Sequence, residues 1–250
     1  MKTTERFSNR VENYVKYRPG YPPEVLDLFR RAMNLKASSV VADIGAGTGI
    51  SARMFLENGN TVYGVEPNAA MRRASLEFLK DFSNFKSIDG TSENTGLPAR
   101  SIDLIAAAQA FHWFDGEQTR REFRRILKEK GFVALIWNQR QLDSTDFLRA
   151  YEDFLDTYAT DYHEVRHEHA TLEVIGEFFQ TDFSVATFHN SQTFDYEGLQ
   201  GRLESSSYTP TRETPLYEPM LKELKRLFAK HEKNGKIEIF YDTKVYYGQL

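Results

Sequence analysis

The 250 residues contain no cysteine. That absence excludes a disulfide framework, a thiolate nucleophile and a cysteine-built zinc site. Nor is there an excess of positive charge. Against 36 Asp and Glu stand 32 Lys and Arg, a formal net charge of −4, which leaves no electrostatic footprint for a nucleic-acid partner. No run of the chain approaches the about 18 apolar residues that a membrane span requires. Residues 1–7 lack the apolar stretch of a signal peptide. A cytoplasmic protein without a membrane partner, monomeric or a homodimer, is the expectation. Proline is sparse, but Pro19, Pro22 and Pro23 fall together and mark a firm chain break. There is no internal repeat and no low-complexity tract. Aromatics are plentiful, 13 Tyr and 19 Phe, enough to wall a pocket as well as to fill a core.

Residues 40–50 organise the rest. A short apolar run, Val40 to Ile44 with Asp43 near its end, opens onto Gly45, Ala46, Gly47, Thr48 and Gly49, and a helical pattern follows. This reads as strand, tight loop, helix. The dinucleotide fingerprint is G-x-G-x-x-G. Here the third glycine falls one residue early, at Gly49, and Ile50 takes the expected place. A phosphate would approach the helix N-terminus, where the carboxylate of Asp43 repels it but attracts an ammonium group. A ligand with an amino-acid end, an adenosine end and no phosphate fits better, and S-adenosylmethionine is such a ligand. Residues 60–66 read as the next strand, closing on Glu66, whose carboxylate can accept both ribose hydroxyls.

With Asp43, Gly45, Gly47, Gly49 and Glu66 in this order, the sequence resembles the class I S-adenosylmethionine-dependent methyltransferases of the broad small-molecule type. Residues 90–93, 107–114 and 131–137 match as well, and beyond them only the order of elements does. The resemblance implies an α/β fold: a Rossmann-like, seven-stranded, mostly parallel sheet with helices on both faces and a helical cap. Its last strand would insert antiparallel between the fifth and sixth. A single domain is expected, with residues 1–34 forming an N-terminal lid and first helices, 35–138 the cofactor-binding half, and 139–250 the cap helices and last strands. The implied activity is methyl transfer from S-adenosylmethionine to a small-molecule acceptor through oxygen, nitrogen or a carboxyl group. A nicotinamide-dependent oxidoreductase is the enzyme alternative, against which the displaced glycine and Asp43 weigh. A non-catalytic S-adenosylmethionine-binding protein is another, since a fold does not certify chemistry.

Apolar spacing predicts a helix over residues 7–18, ended by Pro19, and another through Met33. Residues 14–22 resemble a segment that lies over the cofactor like a lid in some small-molecule methyltransferases. By that resemblance Tyr14, Tyr17 and Arg18 approach the methionine end, with Arg18 forking onto its carboxylate, and Tyr17 and Tyr21 border the substrate pocket. Otherwise Arg18 caps a helix and the tyrosines are core. Ala46 and Pro67 belong to the cofactor set by the same resemblance, and Met71 would pack on the adenine, unless it is simply a core methionine. Thr91, next to Ser92, stands where family members place an acid for the adenine amino group, and Asp89 is the alternative acceptor. Residues 101–108 read as a strand buried on both faces. It delivers Gln109, Phe111, His112 and Trp113 to the sheet edge where ligands bind. Gln109 is assigned to the cofactor, Phe111 and Trp113 to the substrate, and His112 to catalysis as a base if the acceptor must lose a proton. A basic helix over 117–128 and a strand over 132–137 follow. Later come helices over 144–159, 172–179, 196–207 and 216–233, and strands over 184–194 and 236–247. His163, His167 and His169 lie among Asp161, Glu164 and Glu168 at spacings that can bind metal, but no distant ligand matches them and no metal is expected.

Overall fold

The computed structural model describes residues 15–160, 162 and 171–250. Tyr14 and most of the predicted helix over 7–18 lie outside the described residues, as do His163, His167, His169 and their acidic neighbours. Seven strands form one sheet: β1 (Val40–Ile44), β2 (Thr61–Val65), β3 (Phe85–Ile88), β4 (Ile102–Ala108), β5 (Leu127–Arg140), β6 (Phe183–Phe194) and β7 (Ile237–Gly248). Their order is β3-β2-β1-β4-β5-β7-β6. The first five run parallel. β7 lies between β5 and β6 and is antiparallel to both, as the resemblance implies.

Strand alternation sends successive side chains to opposite faces. Val41, Val62, Leu104 and Ile136 meet α1 (Pro23–Ala32) and α2 (Ile50–Glu57) on one side, where Phe29 and Phe55 stack with centroids 5.7 Å apart. α3 (Ala69–Phe78) covers the β3 end, its N-terminus capped by Asn68, whose side chain accepts from the Ala70 and Met71 amides. Ala42, Ile44, Ile105, Val133, Leu135 and Trp137 face the other way. They pack on Phe123 of α4 (Gly116–Ile126) and on Phe178 and Phe179 of α6 (Leu172–Phe179). A third core joins α5 (Asp146–Tyr158), α7 (Tyr196–Glu204) and α8 (Tyr217–His231) through Phe147, Tyr151, Leu203 and Leu224. It reaches the sheet through Tyr241 of β7, so the helical cap is anchored on the inserted strand.

Several boundaries differ from the periodic expectation. α4 stops at Ile126 rather than Lys128, and β5 begins at Leu127 rather than Phe132. The Arg100 and Ser101 amides donate to the Arg125 and Ile126 carbonyls at 3.0 and 2.9 Å, drawing the helix end onto β4, where Leu127 pairs with Ile102. α7 ends at Glu204, and its last turn closes when the Ser205 amide donates to Gly201 O.

Candidate functional site

Loops at the C-terminal ends of β1 to β5 surround a single cavity of about 880 Å³. The β1–α2 loop forms its floor. The Gly45 and Ala46 amides donate to Val65 O at 2.9 and 3.1 Å, which ties the loop to β2. Gly45 has φ +70°, and a Cβ there would fall 2.6 Å from the Cβ of Ala110. Gly47 has φ +54° and open space where its side chain would stand, so a ligand can lie directly on its backbone. The Gly47 amide donates to Glu66 Oε2 at 3.0 Å, and the Asn68 amide to Oε1 at 2.8 Å. Burial pushes the Glu66 carboxyl above its ordinary value despite those two amides and the charge of Arg72. Each carboxylate oxygen keeps a lone pair for a pair of adjacent hydroxyls.

Asp43 lies one layer lower. It is fully buried, and Ser51 Oγ donates to its Oδ2 at 2.6 Å. Its Oδ1 makes no protein hydrogen bond. Burial raises its carboxyl to about 7 against the pull of Ser51 and the nearby Ala52 amide. Ser51, not Asp43, forms the cavity wall. Asp43, expected to hold the ammonium side directly or through water, lies behind the helix start, with Ser51 between it and the cavity. Gly49 is likewise off the wall. With φ +88° it opens α2, and a Cβ on it would sit 2.6 Å from Leu79.

Ala46, Pro67, Met71, Thr91, Ser92 and Gln109 all line the cavity as expected. Glu93 lines it too. Asp89 does not, because it turns outward to pair with Arg72 at 2.8 Å. Gln109 holds φ +57°, a strained conformation of the kind found at ligand sites. Its Nε2 donates to Asn138 O at 3.3 Å, and its Oε1 is buried without a partner. The expected aromatic wall divides. Phe111 enters the core, its ring 4.8 Å from Phe178 and 6.2 Å from Trp137, because the tight turn over Phe111–Trp113 turns successive side chains to different sides. His112 and Trp113 do reach the cavity, their rings 4.6 Å apart, and Trp113 stands at the mouth with 42% of its surface exposed.

The N-terminal segment closes the opposite side. Arg18 and Tyr21 line the cavity, and Arg18 Nη2 donates to Ser205 O at 2.9 Å. Tyr17 does not line it. Its ring packs on Gly201, where an added Cβ would lie 2.1 Å away. Side-chain amides hold the segment from the sheet: Asn138 and Asn190 both donate to Gly20 O, at 3.0 and 2.9 Å, and Gln192 to Tyr17 O at 3.1 Å.

The cap adds wall residues that sequence reasoning missed, among them Arg140, Tyr162, Arg202, Tyr208 and Tyr241. Arg140 pairs with Glu152 and donates to the Tyr162 hydroxyl at 2.7 Å. Arg202 Nη1 donates to Ser206 Oγ at 3.1 Å, and its Nε lies 3.4 Å from the Tyr241 hydroxyl. No local motif marks these residues, which come from β5, α7, β7 and the loops between. The one available signal is that buried Lys and Arg are rare.

Among the described residues, Thr48 Oγ1 and Gln109 Oε1 on the cavity wall and Asp43 Oδ1 behind it are buried oxygens without partners. The acceptors on the wall, the Glu66 carboxylate and Gln109 Oε1, fit hydroxyls and an ammonium group and disfavour a phosphate. An adenosine with a cationic amino-acid end fits these residues.

A family model described as a methyltransferase domain matches residues 42–135. An uncharacterized methyltransferase of Schizosaccharomyces pombe is 32% identical over 136 residues, which are 54% of this chain and 53% of that protein. The chain spans about half the length of the curated relatives it matches first. Among solved structures, a putative type II methyltransferase from Anaeromyxobacter dehalogenans superposes with a TM-score of 0.68 at 20% identity, covering 93% of this chain and 98% of that one. Phosphoethanolamine N-methyltransferase 2 of Haemonchus contortus, solved in complex with S-adenosyl-L-methionine, gives a TM-score of 0.58 at 16% identity, covering 98% and 57%. These likenesses carry the fold. No helix among the described residues is long and apolar enough to cross a membrane.

Proposed function

We propose that this chain, which is similar to methyltransferases, is a class I S-adenosylmethionine-dependent methyltransferase that binds S-adenosylmethionine between the β1–α2 loop and Glu66 and methylates a small molecule held under the cap. One observation carries the reading: Glu66 lines the cavity with its carboxylate clamped by the Gly47 and Asn68 amides, so that each oxygen still offers an acceptor lone pair. When bound, S-adenosylmethionine supplies a methyl group on a positively charged sulfur, which leaves with the electron pair of the broken carbon–sulfur bond as the acceptor's lone pair forms the new one.

The protein's part is to position the acceptor and exclude water. Glu66 accepts the ribose hydroxyls, Met71 and Pro67 border the adenine, and Thr91, Ser92 and Glu93 face its edge. Arg18 holds the methionine carboxylate, and Ser51 relays the charge of Asp43. Gln109 serves the cofactor, and His112 and Trp113 lie on the acceptor side. His112 takes the proton of an acceptor O–H or N–H, or only shapes the pocket if the acceptor is already an anion.

Calorimetry with S-adenosylmethionine, S-adenosylhomocysteine and NAD tests this. The first two should bind and NAD should not. Glu66→Ala, which removes a charged hydrogen-bond acceptor, should weaken both by about tenfold or more with the fold intact. Equal affinity in wild type and Glu66→Ala, or binding of NAD alone, refutes the assignment.

A further inference from the structure

The positive charge at the cap end is not balanced. Arg140 is neutralised by Glu152, whose carboxylate also accepts from the Tyr162 hydroxyl at 2.8 Å. Arg202 is different. It is 8% exposed, it lines the cavity, and among the described residues no carboxylate pairs with it. Its partners among the described residues, Ser206 Oγ and the Tyr241 hydroxyl, are neutral. Tyr241 in turn donates to Gln192 Oε1 at 3.0 Å, so its hydroxyl is oriented and Arg202 is held in place. Burying a guanidinium without an opposite charge is costly. Among the described residues the Arg202 hydrogen bonds run through Nε and Nη1, and its planar fork suits an oxyanion at Nη2.

Tyr208 reports the same field. Burial pushes its phenol up, yet Arg202, Arg18, a hydrogen bond with Ser206, and Arg140 together outweigh burial and hold it below its ordinary value. Three guanidiniums therefore converge on one corner. With Arg18 assigned to the cofactor carboxylate and Arg140 paired to Glu152, one positive charge is left, on Arg202. That balance calls for one negative charge on the other ligand of the cavity.

We infer that the methyl acceptor is a monocarboxylate whose carboxylate is received by Arg202 beside Tyr208, under the cap. The inference rests on the methyl-transfer reading and names the substrate class that this reading leaves open.

The test uses the full chain saturated with S-adenosylhomocysteine, titrated in a calorimeter with straight-chain and aryl monocarboxylic acids, each beside its primary amide. At least one acid should bind about tenfold or more tightly than its amide, the difference expected of a charged hydrogen-bonded pair. Arg202→Gln should abolish that preference, and Arg202→Lys should keep part of it. Both variants should bind S-adenosylhomocysteine within about threefold of wild type, a difference of under 1 kcal/mol. Acids and amides that bind wild type equally overturn the inference, without any variant having to fold. So does an Arg202→Gln protein with a native circular-dichroism spectrum that no longer binds S-adenosylhomocysteine, because the guanidinium then serves the cofactor. So does phenyl phosphate binding where no acid does, which would make the ligand a dianion. Failure of S-adenosylhomocysteine to bind wild type is distinct from all of these: it removes the methyl-transfer reading, and the inference falls with it.

Discussion

A carboxylate with no exposed surface is costly to ionise, and Asp43 meets only the Ser51 hydroxyl, the Ala52 amide and, at longer range, the like charge of Glu66. Its folded-state value of about 7 lies well above the roughly 3.9 of an unfolded chain. The folded protein therefore binds this proton more tightly, so Asp43 favours the fold at low pH. Its contribution falls as pH rises from about 4 to about 7 and is lost above that. Asp43→Asn removes the titration while keeping an acceptor for Ser51. The melting temperature of the ligand-free variant, relative to wild type, should be higher at pH 8 than at pH 5. A difference that does not change with pH contradicts the raised value. Residue by residue, the loop end was legible because its signals are local: Gly45 to Gly49 and Glu66 lie within one strand–loop–helix–strand unit. The sequence could not show that Asp43 sits behind Ser51, or that Phe111 turns inward while its neighbours His112 and Trp113 turn outward. The direction of Phe111 depends on how the turn after β4 packs against Phe178 of α6, more than 50 residues away, and that of Asp43 on the rotamer that brings Ser51 Oγ onto it.

At the scale of elements, the segment over 15–22 is the one whose behaviour should change with ligand. Arg18, Pro19 and Tyr21 face the cavity, while Asn138, Asn190 and Gln192 hold its backbone carbonyls from the sheet. Adding S-adenosylhomocysteine should slow amide hydrogen exchange in residues 15–22, because a ligand contact suppresses local opening. Equal protection with and without ligand would make the segment ordinary structure and remove Arg18 from the cofactor site. The helices of the cap were legible as amphipathic stretches, and α6 falls on residues 172–179 as periodicity predicts. The end of α4 was not, since the basic pattern of Arg124, Arg125 and Lys128 runs past the point where pairing of Leu127 with Ile102 pulls the chain into β5.

For the whole molecule, the fold class was readable from alternating strands and helices, but the charge balance of the cavity was not. Arg140, Arg202 and Tyr241 are brought together only because β7 returns between β5 and β6 and carries the cap with it. Removing residues 237–250 should therefore do more than delete one edge. β5 and β6 have no contact as neighbours without β7, and Tyr241 links the cap core to the sheet. The truncated chain should lose its near-ultraviolet circular dichroism and all binding of S-adenosylhomocysteine, although the glycine loop and Glu66 remain. A truncated protein that keeps both would show that the first five strands fold on their own.

The inserted strand also sets a timetable for synthesis. Domains fold as units while the chain is being made, yet β6 leaves the ribosome well before its partner. Until residues 237–248 emerge, β6 waits without a neighbour while α7 and α8 are translated. Ser184, His189, Asn190, Gln192 and Thr193 give it a largely polar, half-exposed surface, which suits a strand that must stay unpaired in water without recruiting another chain.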